Sequence, residues 1–266
     1  MGRIKEYLIR FELNPPRVLA LGFGALILLG ALLLNLPIAT KTGESIGFIN
    51  SLFTSASAVC VTGLVVVNTA KYWSLFGQIV IIVLIQMGGL GFMTLATIVA
   101  LLLGKKITLK ERLIIKEQLN QETMSGLVKL TKYVIFSTFI IEGMGALLLS
   151  TRFIPIYGPV KGIWFSIFHA ISAFCNAGFD IIGNSVMIFV GDIIINMTIG
   201  FLIIIGGLGF SVYIDISRYK SFKRLHLHSK LVISVTIILI LTGTILFYII
   251  ERHNPATLLN LTKGEK

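Results

Sequence analysis

SLFTSASAVCVTGL at residues 51–64 and SIFHAISAFCNAGF at residues 166–179 decide the fold. The two stretches share Ser51/Ser166, Phe53/Phe168, Ser57/Ser172, Ala58/Ala173, Cys60/Cys175 and Gly63/Gly178, six identities in fourteen positions at a constant offset of 115. A random alignment would give about one, so this is an internal repeat. Each copy is followed by a long apolar run carrying the pentapeptide GGLGF, at 88–92 and 206–210, where the offset is 118. A duplicated unit of apolar run, short glycine-ended segment and glycine-rich apolar run is how cation-conducting pores are built.

Working outward, apolar residues make up 55% of the 266 positions and charged residues 13%. A soluble domain usually carries about a quarter charged residues, so this composition points to lipid. Full spans need about 20 apolar residues, and five segments qualify: 18–37, 76–103, 133–150, 191–214 and 231–250. The first run is too long for a signal peptide and lacks a small-residue cleavage pattern, so it is read as a retained span.

The net charge of +11 is unevenly placed. Four basic residues precede the first span (Arg3, Lys5, Arg10, Arg17) and seven follow the second (Lys105, Lys106, Lys110, Arg112, Lys116, Lys129, Lys132). Five more follow the fourth span (Arg218, Lys220, Lys223, Arg224, Lys230). By the positive-inside rule the amino terminus and both basic loops are cytoplasmic. The basic excess therefore sets topology and does not imply a nucleic-acid partner.

Ile46 to Ala58 and Gly162 to Phe174 are apolar but too short to cross a bilayer. Non-helical backbone at membrane depth is tolerated only where protein or a water-filled cavity surrounds it, so these stretches are expected to be re-entrant helices. Two crossings plus one re-entrant hairpin per unit place both units the same way up, as parallel repeats around a channel. The expected fold is an all-α membrane protein of outer helix, re-entrant pore helix plus filter, and inner helix. Its parts run as a cytoplasmic amino terminus (1–17), first pore repeat (18–103), basic cytoplasmic loop (104–126), second pore repeat (127–214) and second basic loop (215–230). The first helix of a third repeat (231–250) and a truncated exterior tail (251–266) complete it. The repeat offset carried on from Gly178 would put a third filter glycine near position 293, beyond Lys266.

A dehydrated cation needs oxygen ligands, and backbone carbonyls supply them in potassium channels. Glycine permits the tightly turned strand this requires. Gly63 and Gly178 fill that role, with the carbonyls of Cys60, Val61 and Thr62 and of Cys175, Asn176 and Ala177 before them. Asp180, after the second filter, is expected at the outer mouth, either concentrating cations or as a solvated loop carboxylate; Asp192 carries the same ambiguity. Glu142 lies within the third span, where a carboxylate is a functional candidate; protonation or a hydrogen bond between helices is preferred over ion coordination. Close packing is preferred over a gating hinge for the GGLGF glycines. Cys60 and Cys175 are expected as free thiols, His226 and His228 as solvated, and His169 as hydrogen-bonded. With no nucleophile, metal cluster or phosphate loop, an enzyme is not expected, and no metal is anticipated beyond the permeating ion.

With its paired SAVCVTGL and SAFCNAGF segments and downstream GGLGF, almost the whole chain resembles the Ktr/Trk/HKT superfamily of potassium-translocating subunits. The resemblance implies four such units in a full polypeptide, filter glycines at Gly63 and Gly178, and potassium selectivity, which in the superfamily goes with glycine at the first filter. A first filter after one span is similar to the bacterial Ktr branch. That branch implies a plasma-membrane subunit that pairs as a homodimer on a cytoplasmic, KtrA-like ring of nucleotide-binding regulatory proteins, with K+ as permeating ion and Na+ as a coupling or activating ion in some members. Two filters out of four depart from that pattern, leaving a secondary transporter and a non-conducting fragment as competing readings.

Overall fold

The computed structural model describes residues 15–91, 127–219 and 221–254. Residues 1–14, the stretch 92–126 that holds the expected 104–126 loop, Lys220, and residues 255–266 of the expected tail lie outside the described residues. Among the described residues, eight helices of ten residues or more carry the fold: α1 (Pro15–Leu34), α2 (Phe48–Val59), α3 (Leu75–Leu90), α4 (Leu127–Tyr157), α5 (Pro159–Phe174), α6 (Ile193–Leu208), α7 (Phe210–Tyr219) and α8 (Leu227–Glu251). Among the described residues the sole β feature is an isolated bridge between Thr40 and Trp73.

α1, α4 and α8 are each long and apolar enough to cross a membrane. Their outer faces stay apolar: Leu28, Leu29 and Leu32 on α1, Phe136 and Leu147 on α4, and Ile238 and Leu241 on α8 are all exposed. Monomeric soluble proteins rarely expose contiguous apolar surface on this scale. The molecule is an all-α, membrane-embedded protein.

Two of the five expected spans are not continuous helices. α3 ends at Leu90 because Gly91 takes φ +76°, so the 76–103 segment is not one helix. The 191–214 segment is broken at Gly209, φ +84°, where α6 and α7 meet at 91°. A glycine in the left-handed region ends a helix because it has no Cβ to clash there, and an apolar sequence on both sides does not prevent it. The expected loop 215–230 is also largely ordered: α7 runs to Tyr219 and α8 begins at Leu227. Asp215 closes that corner, its Oδ2 accepting from the backbone N–H of His226 at 2.8 Å. The first and fifth spans shift to Pro15–Leu34 and Leu227–Glu251, and the third lengthens to Leu127–Tyr157.

Burial gathers into two clusters. One joins Leu34, Ile81, Ile85 and Trp73 to Phe168, Ala177, Phe179 and Ile181, so residues of the second half complete the core of the first. The other holds Leu149, Phe153, Phe174, Ile195 and Leu202. α2 approaches α1 through small residues: Ser55 Oγ donates to the Ile27 carbonyl at 2.7 Å, against the bare backbone of Gly30. α5 returns along α4 after a turn at Gly158, φ +80°, with Gly162 against the Ile154 backbone.

Candidate functional site

α2 and α5 correspond to the two expected short helices, with bounds shifted to Phe48–Val59 and Pro159–Phe174. Each starts after a glycine at positive φ, Gly47 at +91° and Gly158 at +80°. Each buries small residues at shared register, Ser51, Ser57 and Ala58 in α2 and Ser166, Ser172 and Ala173 in α5. Helices at this length are marginal alone in water; packing of that small-residue face holds them.

Both helices end in the same way. The N–H of Thr62 bonds to Ser57 O and that of Val61 to Ala58 O, at 2.8 and 3.2 Å. Ala177 bonds to Ser172 O and Asn176 to Ala173 O, at 2.8 and 3.0 Å. This pairing is a Schellman motif, with Val61 (φ +54°) and Asn176 (φ +60°) in the left-handed position normally given to glycine. Asparagine tolerates it; a β-branched valine there is a genuine outlier. Strain of this kind persists only where the surroundings over-determine the backbone, and it collects at functional sites.

Gly63 and Gly178 follow two residues later at φ +79° and +71°, and here the two turns meet. A Cβ built on Gly63 would lie 2.5 Å from the Ala177 carbonyl oxygen and 3.4 Å from Gly178 Cα; one built on Gly178 would lie 3.7 Å from Gly63 Cα. The two backbones approach as only glycine allows. The strands differ in cover: Ala177 is fully buried, whereas Cys60 and Thr62 are exposed. The C-terminal ends of α2 and α5, with their negative dipole ends, lead directly into these turns.

The glycines of GGLGF serve two purposes at once. Gly88 lies against the Val59 carbonyl and Gly206 against the Phe174 carbonyl, the last residues of α2 and α5. Gly91 and Gly209 break the helices that follow. In the second copy the packing role stands beside a bend of 91°, not in place of it.

Asp180 sits in the loop after Gly178 and is no free carboxylate. Its oxygens accept from the backbone N–H groups of Ile182, Gly183 and Ser185, each at 2.8 Å, and its Oδ1 lies 3.0 Å from His169 Nε2. Burial opposes its ionisation, but the His169 contact and the three N–H donors outweigh it and bring the carboxyl down to about 2. His169 Nδ1 lies 2.7 Å from the Phe165 carbonyl, and Ser172 Oγ donates to Phe179 O at 2.8 Å. Asp192 caps α6 through the N–H groups of Ile194 and Ile195 and pairs with Arg152 at 2.8 Å. His226 is exposed beside Asp215.

Glu142 is 3% exposed and has a partner that the sequence does not name: Gln86 Nε2 donates to its Oε2 at 3.2 Å. Gln86 Oε1 in turn faces Cys175 Sγ at 3.9 Å, and both cysteines are free thiols. Further cross-links passed over in the sequence are Trp164 Nε1 to Gln78 Oε1 at 2.8 Å and Asn68 Nδ2 to the Gly183 carbonyl at 2.7 Å. The signal for Gln78 and Gln86 was present, since a polar residue inside an apolar run seeks a partner.

Residues 25–256 match the TrkH family of cation transport proteins, and the chain belongs to that family. It is 48% identical over 256 residues to the potassium/sodium uptake protein NtpJ of Enterococcus hirae, which covers 96% of this chain and 56% of that protein. Identity to the Ktr system potassium uptake protein B is 47% for Bacillus subtilis and 41% for Vibrio alginolyticus, each over 94% of this chain and 55% of the relative. The chain thus spans about half the length of the curated relatives it matches. These relatives are transporters, not enzymes.

Proposed function

We propose that the turns Cys60–Gly63 and Cys175–Gly178 are two strands of a backbone-carbonyl selectivity filter, and that α1–α3 and α4–α6 are parallel pore repeats around it. The observation that carries this is the contact of the Gly63 turn with the Ala177–Gly178 backbone: Gly63 and Gly178, 115 apart in sequence, meet in the same left-handed conformation after the same cap. A carbonyl filter holds K+ by replacing its hydration shell. Two strands supply part of such a ring, and the exposed flank of Cys60 and Thr62 is where a further strand would sit.

On this reading the chain is the greater part of two repeats, with α8 opening a third, of the pore-forming membrane subunit of a Ktr-type uptake system in the plasma membrane. Its amino terminus and the basic segments around 104–126 and 215–230 face the cytoplasm, as the positive-inside rule requires. Working as a homodimer on a KtrA-like nucleotide-binding ring is consistent with the relatives' designation as components of a Ktr system. K+ is the permeating ion, and the name of the Enterococcus relative supports Na+ as a second, coupling or activating ion. Asp180 then serves the outer mouth by shaping its loop.

The test is growth on limiting potassium by a bacterium lacking its own uptake systems and expressing the full reading frame. Gly63→Val and Gly178→Val are expected to abolish growth at low K+ while the protein stays in the membrane. Wild-type uptake and ion preference in both variants would remove the filter from these positions.

A further inference from the structure

We propose that Glu142 is a positioning residue for the second filter strand, acting through Gln86 on Cys175, and that this strut sets how strictly the strand prefers K+ over Na+. The inference rests on the filter reading above.

Three elements distant in sequence contribute one polar group each: Glu142 on α4, Gln86 on α3 and Cys175 at the C-terminal cap of α5. The order of the groups is set by their chemistry. A carboxylate oxygen accepts and a thiol donates, so only a side chain with a donor at one end and an acceptor at the other joins them, and a primary amide is such a group. Gln86 is placed with Nε2 toward Glu142 and Oε1 toward Cys175. Gly89 is what lets the sulfur sit here: a Cβ on it would lie 2.6 Å from Cys175 Sγ. Cys175 immediately precedes Asn176, the left-handed residue at φ +60°, so the strut ends where the strand begins.

Among the described residues nothing comparable serves the first strand, where Cys60 is exposed. The arrangement is also costly to keep. Glu142 Oε1 is buried with no hydrogen-bond partner among the described residues, and a half-satisfied carboxyl in an apolar bundle persists where function retains it. A filter separates two alkali cations by the spacing and field of its carbonyls, so a support that holds one strand acts on preference before it acts on rate. Glu142 itself touches no ion on this reading.

The experiment compares Glu142→Leu, Gln86→Leu, their double variant, Glu142→Gln and Gly178→Ser in the full-length transporter. It measures maximal K+ uptake separately from the K+/Na+ preference in competition. Each leucine variant is expected to lower the preference about tenfold, with the double variant no worse than either single one, as for groups acting as one unit. Glu142→Gln keeps an acceptor for Gln86 Nε2 and is expected to restore most of the preference. If Glu142→Leu does not reach the membrane, Gln86→Leu decides. Unchanged preference in the leucine variants, or additive losses, overturns the strut. If Gly178→Ser lowers the preference while the leucine variants do not, the strut alone falls; if Gly178→Ser also leaves it untouched, the filter reading falls with it.

Discussion

Asn68 Nδ2 donates to the carbonyl oxygen of Gly183 at 2.7 Å, and the two positions stand 115 residues apart, the interval that also separates Gly63 from Gly178. The two halves therefore touch twice, once at the turns and once in the loops beyond them.

Asn68 also caps the single helical turn Thr69–Tyr72, its Oδ1 accepting from the Lys71 N–H at 3.0 Å. Its two roles can be separated. Asn68→Asp keeps the cap and loses the donor to Gly183; Asn68→Ala loses both. The expected destabilisation is about 1 kcal/mol for the lost bond and about 1 kcal/mol more for the lost cap, read from thermal unfolding in detergent. Equal melting temperatures for the two variants would show that the cap contributes nothing.

Gly63 and Gly178 lie at φ +79° and +71°. A serine at Gly63 meets the backbone strain and also the Ala177 carbonyl; at Gly178 it meets chiefly the strain, because its Cβ has 3.7 Å to the nearest backbone atom. Gly63→Ser is therefore expected to be the more damaging of the two. The strain is about 1–3 kcal/mol at each, and a backbone that shifts to relieve it changes the carbonyl spacing on which K+ preference depends. Competitive uptake of K+ against Na+ measures it.

The short helices were legible because a glycine-ended apolar segment occurs twice, and the duplication separates it from ordinary core sequence. Their bounds moved by a few residues because the start is set by Gly47 and Gly158, whose left-handed φ hydropathy does not report. The breaks at Gly91 and Gly209 were missed as span ends for the same reason: apolar residues continue past both, and a window average reads through them. Val61 was out of reach, since a β-branched residue reads as extended and only the packed turn forces it to φ +54°. Glu142 was singled out from its position in an apolar run, but Gln86 lies 56 residues away and only the fold brings the two together.

Gly88 and Gly206 offer a control for the packing argument. A methyl group at either would collide with the carbonyl that ends α2 or α5, whereas Gly24 and Gly200 have nothing within 4 Å of a built Cβ among the described residues. Gly88→Ala and Gly206→Ala are expected to destabilise by about 1–3 kcal/mol. Gly24→Ala and Gly200→Ala should stabilise by about 0.5–1 kcal/mol, as alanine does in a helix interior. Thermal unfolding of all four in one detergent compares them directly, and loss of stability at Gly24 would undercut the reading.

Asp180 ties the loop after the second turn to α5, and its titration gives a signed prediction. Its carboxyl is brought down to about 2 in the folded protein, below the ordinary aspartate value of about 3.9. A group with a lowered folded-state pKa contributes stability that is complete above the unfolded value and is lost as pH falls through the folded one. The parent protein should therefore be more stable than Asp180→Asn from neutral pH down to about 4, with the gap narrowing as pH falls from there toward about 2. Solvent screening at this partly exposed site keeps the gap to about 2 kcal/mol or less. His169→Ala removes one of the four contacts and should narrow the same gap without abolishing it, because the N–H groups of Ile182, Gly183 and Ser185 remain. A gap that widened on acidification would mean that the loop is not held by an ionised Asp180.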